Sequence, residues 1–227
     1  MLQDLSLKFA GGCMMLVRKK ESAVVFLGTA FLMHDDGYLL TTAHLLEGDP
    51  DGLMVVPTTG ADDFTPISLD KVSAMSVSVT SVDKVHNVAL LEIDRNLRIK
   101  TPDHLGGRTE NLGLGTSLLC LGFPFGHDEM HNIVVQGGIL SSKVRSKNGT
   151  RLLLFDAMVY DGCAGGPLVS GDDDRVVGIV VGRFSPVEDG GDFTRGNRHP
   201  GYDTPFSYAI SIEYGLALMR TAGLDVS

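Results

Sequence analysis

Three short segments of the chain carry groups suited to hydrolytic chemistry, and they come in a definite order. The first is Leu40-Thr41-Thr42-Ala43-His44-Leu45, where an apolar strand runs out at a Thr-Ala-His step. An imidazole there has a proton affinity suited to general acid–base work near neutral pH. The second is Val85-His86-Asn87-Val88-Ala89-Leu90-Leu91, a polar residue directly before an apolar strand. The third is Asp156-Ala157-Met158-Val159-Tyr160-Asp161-Gly162-Cys163-Ala164-Gly165-Gly166-Pro167-Leu168. Each segment alone is ordinary: a histidine at a strand end is commonly structural, and Gly-Gly-Pro is commonly a plain turn. Their joint appearance in this order is what sets them apart.

The elements that must position these segments read as short strands. Residues 22–33 are rich in β-branched and aromatic types, and His34-Asp35-Asp36-Gly37 turns the chain into a returning strand at 38–42. Further strands are expected at 53–56, 72–80, 88–93, 117–122, 133–144, 151–158, 176–181 and 207–210. Asn148-Gly149 predicts a type I′ turn, since both central positions of that turn need positive φ. Apolar residues at 212, 216, 218 and 219 predict one closing helix over 212–221. About a dozen short strands and one helix give an all-β fold of barrel or sandwich type. Residues 96–115 read as the link between an N-terminal half, 1–100, and a C-terminal half, 101–227. Residues 184–205 are too long for a simple connection and read as a functional or disordered loop. No internal repeat shows at the level of identity.

Composition narrows the functional classes. The 227 residues are 43% hydrophobic and 21% charged, which suits a folded soluble chain. The formal charge of −9 repels phosphates, so a nucleic-acid partner is not expected. No apolar run reaches the roughly 18 residues that cross a bilayer, so no membrane partner is expected either. Arg18, Lys19 and Lys20 follow the first apolar stretch rather than precede it, the wrong order for a secretory leader. Cys13, Cys120 and Cys163 make an odd number, so no disulfide framework is expected. The cytoplasm is slightly favoured, and the compartment stays open. His127 and His131 are four apart without a third ligand, and Asp172-Asp173-Asp174 reads as a solvated turn. No metal and no cofactor are expected.

Taken together the segments resemble the trypsin-like serine proteases, and within them the HtrA/Deg branch. Phe26-Leu27-Gly28-Thr29-Ala30-Phe31-Leu32, Leu121-Gly122-Phe123-Pro124-Phe125-Gly126, Gln136-Gly137-Gly138-Ile139-Leu140-Ser141 and Phe206-Ser207-Tyr208-Ala209-Ile210 are similar to further motifs of that branch. The resemblance implies two six-stranded antiparallel Greek-key barrels, a short C-terminal helix, a cleft between the barrels and no PDZ module in this chain. It implies that peptide bonds of extended polypeptides are the substrate. It places His44 as general base, Asn87 at the orienting acid position and Ala164 at the nucleophile position.

The last two are departures that fall on the chemistry itself. Ala164 has no oxygen with which to attack. Asn87 has no charge to stabilise an imidazolium, and its amide can donate to the ring and favour the wrong tautomer. Ala164 admits three readings: a serine deliberately replaced, a natural loss leaving a peptide-binding or scaffold module, or a displaced nucleophile at Cys163. Asp83 or Asp94 could stand in for the missing acid. By the same resemblance, the N–H groups of Gly162 and Ala164 form the oxyanion hole, with Gly162 supplying an unusual backbone. The Asp that zymogen-type members carry is replaced by Cys163, so activation by N-terminal insertion is not expected. Met158 would floor an apolar specificity pocket, and Val180-Val181-Gly182 would pair with the substrate as an edge strand. The oligomeric state is not readable.

Overall fold

The computed structural model describes residues 2–21, 23–47, 51–68, 72–94, 99–184 and 206–226. Helix α1 (Leu2–Ala10) precedes six strands: β1 (Cys13–Lys20), β2 (Ala23–His34), β3 (Tyr38–Thr42), β4 (Leu53–Pro57), β5 (Met75–Asp83) and β6 (Val88–Ile93). Six more follow: β7 (Ser117–Gly122), β8 (Val134–Arg145), β9 (Arg151–Phe155), β10 (Pro167–Ser170), β11 (Arg175–Arg183) and β12 (Ser207–Ser211). Helix α2 (Glu213–Thr221) closes the chain's last segment. The strands form two closed antiparallel barrels, ordered β1-β2-β3-β6-β5-β4 and β7-β8-β9-β12-β11-β10. Each barrel traces the same Greek-key order, a repeat of architecture that leaves no repeat of sequence.

The apolar residues sort into three layers. Leu16, Ala30, Leu39, Val55, Leu91 and Ile93 fill the first barrel. Leu118, Cys120, Leu140, Leu153, Phe155 and Leu168 fill the second. Between the barrels lies a larger layer that includes Leu40, Val88, Leu90, Leu121, Phe123, Ile210 and Leu216. This explains the run Val88-Ala89-Leu90-Leu91, all fully buried. One face of β6 points into its barrel and the other into the inter-barrel layer, so no polar alternation survives. Helix α2 lies against that layer. A Cβ on Gly215 would come within 2.5 Å of Leu40 Cδ1, so the helix backbone rests directly on β3.

The strands at 38–42, 88–93 and 117–122 have the boundaries expected from sequence. Several elements differ. The stretch 151–158 ends as a strand at Phe155, because Asp156 Oδ1 takes the Ile139 N–H at 2.6 Å and the chain then leaves the sheet. Helix α1 and strands β1 and β10 were not expected. Helix α1 buries Leu5, Phe9 and Ala10, too few positions over nine residues to show a period. The 147–150 turn is not type I′. Gly149 alone has positive φ, and a wider loop closes through Ser146 N–H to Thr150 O at 3.0 Å. Residues 185–205, most of the long loop, lie outside the described residues.

Candidate active site

The pairing of β3 with β6 builds the first half of the site. Thr42 stands opposite Val88, so the residues just past β3 meet the residue just before β6. The Ala43 N–H reaches Asn87 O at 3.1 Å. His44 then enters a 3₁₀ turn, Ala43–Leu46, beside the Asn87 side chain. Asn87 is 4% exposed and has φ 57°, a left-handed conformation that asparagine tolerates better than most residues.

Hydrogen bonding orients this amide. Asn87 Oδ1 accepts the backbone N–H of His44 at 2.8 Å. The amide nitrogen is thereby turned to the ring, with Nδ2 at 3.0 Å from His44 Nδ1. Oδ1 also lies 3.2 Å from Nδ1, but its strong donor is already the peptide N–H. An amide N–H facing Nδ1 favours the tautomer that carries the ring proton on Nε2. That tautomer cannot take a proton from a nucleophile at Nε2.

Neither carboxylate considered as a substitute reaches this position. Asp83 accepts from the His86 backbone N–H at 2.9 Å and faces His86 Nδ1 at 2.6 Å. His86 in turn stacks on Tyr214 of α2, with ring centroids 3.9 Å apart and 16° between planes. Asp94 follows the far end of β6, on the order of 20 Å away along the strand; its N–H is bonded to Ser76 O. The Asp83–His86 pair clamps the turn that carries Asn87 against α2, aided by Asn148 Nδ2 donating to Val85 O at 2.9 Å.

The second half of the site is the segment 158–166. A 3₁₀ turn, Asp161–Cys163, leads into Ala164, which is 3% exposed. Thr29 of β2 docks this turn onto the first barrel. Its N–H donates to Ala164 O at 2.8 Å, and its hydroxyl donates to Gly162 O at 2.7 Å. The same hydroxyl accepts the Phe123 N–H at 3.3 Å, and Thr41 Oγ1 donates to Thr29 O at 2.7 Å. Leu45, next to His44, and Ala164 O both crowd Gly28, where a Cβ would meet them at 2.6 and 2.8 Å. His44, Asn87 and Ala164 are thus gathered at one seam between the barrels. Thr29 and Thr41 escaped the sequence reading, although Gly28-Thr29 lay within a matched motif. Thr29→Val keeps the shape but strands Gly162 O and the Phe123 N–H. It is expected to lower unfolding free energy by about 2–4 kcal/mol, measurable by urea denaturation.

The backbone around Ala164 differs from the expectation. The Ala164 N–H donates to Asp161 O at 3.1 Å, so a carbonyl of the chain takes the donor meant for an oxyanion. Gly162 does not have positive φ. It is glycine for a different reason: a Cβ there would lie 2.0 Å from Phe123 O. Positive φ falls instead on Gly165, at 84°.

Cys163 is 1% exposed and packs in the interior of the second barrel. Its interaction with Cys120 raises the Cys120 thiol and lowers the Cys163 thiol, but the Cys163 side chain stays buried beneath the turn. Such a cysteine is a core residue rather than a nucleophile. Alkylation of the folded protein by a peptide-based chloromethyl ketone is expected to be slow at Cys163 and unchanged in His44→Ala. Fast labelling lost in His44→Ala would reverse the assignment.

The expected specificity wall also changes. Met158 is 41% exposed, so it does not floor a buried pocket, and its carbonyl accepts from Gln136 Nε2 at 2.9 Å. In β11, Val180 is already committed: its carbonyl takes the Gly165 N–H and its N–H goes to Gly166 O, both at 2.8 Å. Val181 sits at a register shift, and Gly182 pairs with Tyr208 of β12. Strand β10 begins at Pro167, opposite Ile179, so among the described residues only the β12 side of β11 is strand-paired beyond Val180. His127 packs edge-on against Phe26 at 4.8 Å, and no group of three metal-ligating side chains occurs among the described residues.

This architecture has known counterparts. The sequence model of the trypsin-like peptidase domain matches residues 28–179. A probable periplasmic serine endoprotease DegP-like of Pseudomonas fulva is 32% identical over 191 residues, covering 82% of this chain and 34% of that protein. The magnetosome formation protease MamE of Magnetospirillum gryphiswaldense is 27% identical over 165 residues, covering 70% of this chain and 19% of that one. The chain thus spans about a third or less of these relatives' lengths. Among solved structures, the HtrA-type protease AlgW with tripeptide superposes with a TM-score of 0.71 at 23% identity, covering 97% of this chain and 63% of that one. The same protease with decapeptide gives 0.70 at 22% identity, covering 97% and 67%. Two Greek-key barrels with His44 and position 164 at their seam, matched over most of the chain, place this protein in the trypsin-like peptidase domain family, as a protease domain of HtrA type.

Proposed function

We propose that this domain binds extended polypeptide segments in the inter-barrel cleft and does not cleave them. The observation that carries the reading is the fixed amide of Asn87. Its oxygen holds the His44 peptide N–H and its nitrogen faces Nδ1, an arrangement that disfavours the tautomer a general base requires. Two further features agree with it. Position 164 bears a methyl group, and its N–H is spent on Asp161 O. Loss at three separate points of one mechanism is more than one replacement needs to silence an enzyme. Among the described residues, Val181-Gly182 pairs as a strand only with β12, which supports their part as the strand that a peptide would join. AlgW, whose fold this chain shares, has been solved with peptides bound.

The test combines binding with product analysis. Fluorescein-labelled extended peptide pools are titrated with the protein, and the same mixtures are examined by mass spectrometry after overnight incubation. Saturable binding with every peptide recovered intact is the expected result. Cleavage that survives repurification and disappears in His44→Ala would sink the reading.

A further inference from the structure

Two hollows lie side by side where α2, residues 106–110 and strands β8, β9 and β11 meet. The first, of about 370 Å³, is lined by Arg108, Arg175 and Arg220 together with Glu213. The second, of about 320 Å³, is lined by Lys143, Arg145 and Arg151. Glu110 borders both. Six of the chain's 19 lysines and arginines are thus gathered against two of its 28 aspartates and glutamates. In a chain with a formal charge of −9 this is a local reversal of sign, and cations crowded on one face repel one another until an anion meets them.

Hydrogen bonds fix the framework that carries these cations. Thr109 donates its N–H and its hydroxyl to Glu213 Oε1 at 2.8 and 2.7 Å, which ties residues 106–110 to α2. The Arg151 N–H donates to Tyr214 Oη at 3.0 Å, which ties β9 to the same helix. Both carboxylates are engaged within the site: Glu213 in this way, and Glu110 with Arg151 Nη1 at 3.1 Å. Arg175 Nη1 donates to Gly106 O at 3.5 Å and Lys143 Nζ to Glu110 O at 3.2 Å, both neutral acceptors. Among the described residues, Arg151 is the one member of the six that holds an ion pair. Arg108, Lys143, Arg145 and Arg220 are exposed.

Shape and span select the ligand. Arg220 lies seven residues along α2 from Glu213, about 10 Å. Arg145 stands opposite Arg151 in the β8–β9 ladder, and Lys143 lies two residues away on β8. The strip therefore runs on the order of 20 Å, the reach of about six residues of extended chain. Guanidinium forks set in hollows suit carboxylate side chains, which can be seated one at a time. A nucleic-acid duplex or a bilayer presents its charge on a broad front, and the acidic remainder of this chain repels such a front. We propose that the two hollows form a docking site for an acidic segment of a partner polypeptide, one with several aspartates or glutamates within about six residues. The site is separate from the inter-barrel cleft and does not rest on the reading given for it.

The probe is a fluorescein-labelled octapeptide alternating glutamate with serine, compared with its glutamine–serine counterpart by fluorescence anisotropy on the full chain. At low salt the Glu peptide is expected to bind at least about tenfold more tightly than the Gln peptide, and raising the ionic strength should shrink the ratio. Arg108→Gln combined with Arg220→Gln is expected to weaken the Glu peptide by at least about fivefold and to leave the Gln peptide unchanged. Lys19→Gln combined with Lys20→Gln makes the same change in net charge at the end of β1, and is expected to leave both peptides unchanged. Equal binding of the two peptides overturns the proposal. So does a Glu preference that survives in the arginine variant, or one that falls equally in the lysine variant. A single-stranded DNA octamer or phosphatidylserine vesicles bound more tightly than the Glu peptide, and weakened by the arginine variant, would give the site to that partner and overturn the polypeptide. Circular dichroism checks folding. Should the arginine variant not fold, Lys143→Gln combined with Arg145→Gln, both exposed on β8, makes the same comparison.

Discussion

Ala164→Ser alone is expected to give hydrolysis of an activated peptide ester barely above background, whereas Ala164→Ser with Asn87→Asp should be faster by about 10⁴. The factor follows from the tautomer, since an Asn in the orienting position of a Ser-His-Asp triad lowers kcat by roughly that amount. It corresponds to about 5 kcal/mol of transition-state stabilisation. In Asn87→Asp the carboxylate can keep the His44 peptide N–H and still accept from Nδ1–H, which leaves Nε2 free to take the serine proton. Asn87→Asp alone should do nothing, because no nucleophile is present to activate, so the two changes are strongly non-additive. Both serine variants must also turn the Ala164 N–H away from Asp161 O before it can serve an oxyanion. That cost is common to them and cancels in the ratio, while holding both absolute rates below those of a working protease. Steady-state rates on one ester and its amide, with His44→Ala as control, give the numbers. Equal rates for the single and double variants would show that Asn87 does not orient His44.

The largest structural effect is expected at Gly165. Its φ is 84°, and a Cβ there would lie 2.0 Å from Thr29 O and 2.2 Å from Thr41 Oγ1. Gly165→Ala must therefore break the Thr41–Thr29 hydrogen bond or push β2 away from the Ala164 turn. A loss of at least about 4 kcal/mol is expected, from left-handed strain of about 1–2 kcal/mol plus overpacking and a buried unpaired group. Gly149→Ala is the internal control. It has φ 85° but nothing within 4 Å of the added Cβ, so only the conformational part, about 1 kcal/mol, should appear. Urea denaturation of the two variants separates packing from backbone strain. Similar losses in both would mean that the seam at Thr29 yields without resistance.

The parts of the fold legible in the sequence are those where local pattern and tertiary demand agree. Residues 38–42 and 88–93 combine apolar, β-branched runs with turn or polar residues at their ends, and they pair exactly there. Strand β10 was hidden because its four residues begin with proline and follow two glycines, so its only signal was the motif itself. Strand β1 was passed over because Cys13 to Val17 is buried on both faces and shows no alternation. In the site, side-chain identities singled out His44, Asn87 and Ala164, which lie on elements that meet at one seam. Backbone choices did not show. Whether the Ala164 N–H points into the cleft or to Asp161 O depends on one peptide orientation, and every residue type offers the same N–H. The exposure of Met158 is likewise a product of tertiary placement.

The tautomer of His44 tests the account most directly. In protein labelled with ¹⁵N-histidine, long-range ¹H–¹⁵N correlation of the ring distinguishes the two neutral forms, and His44→Gln identifies the signal. The account predicts a proton on Nε2 with Nδ1 unprotonated at neutral pH, shifting to the Nδ1–H form in Asn87→Asp. A ring already protonated on Nδ1 in the unmodified protein would mean that Asn87 turns its oxygen to the imidazole, and the explanation of a silent cleft given by the His44–Asn87 pair would be wrong.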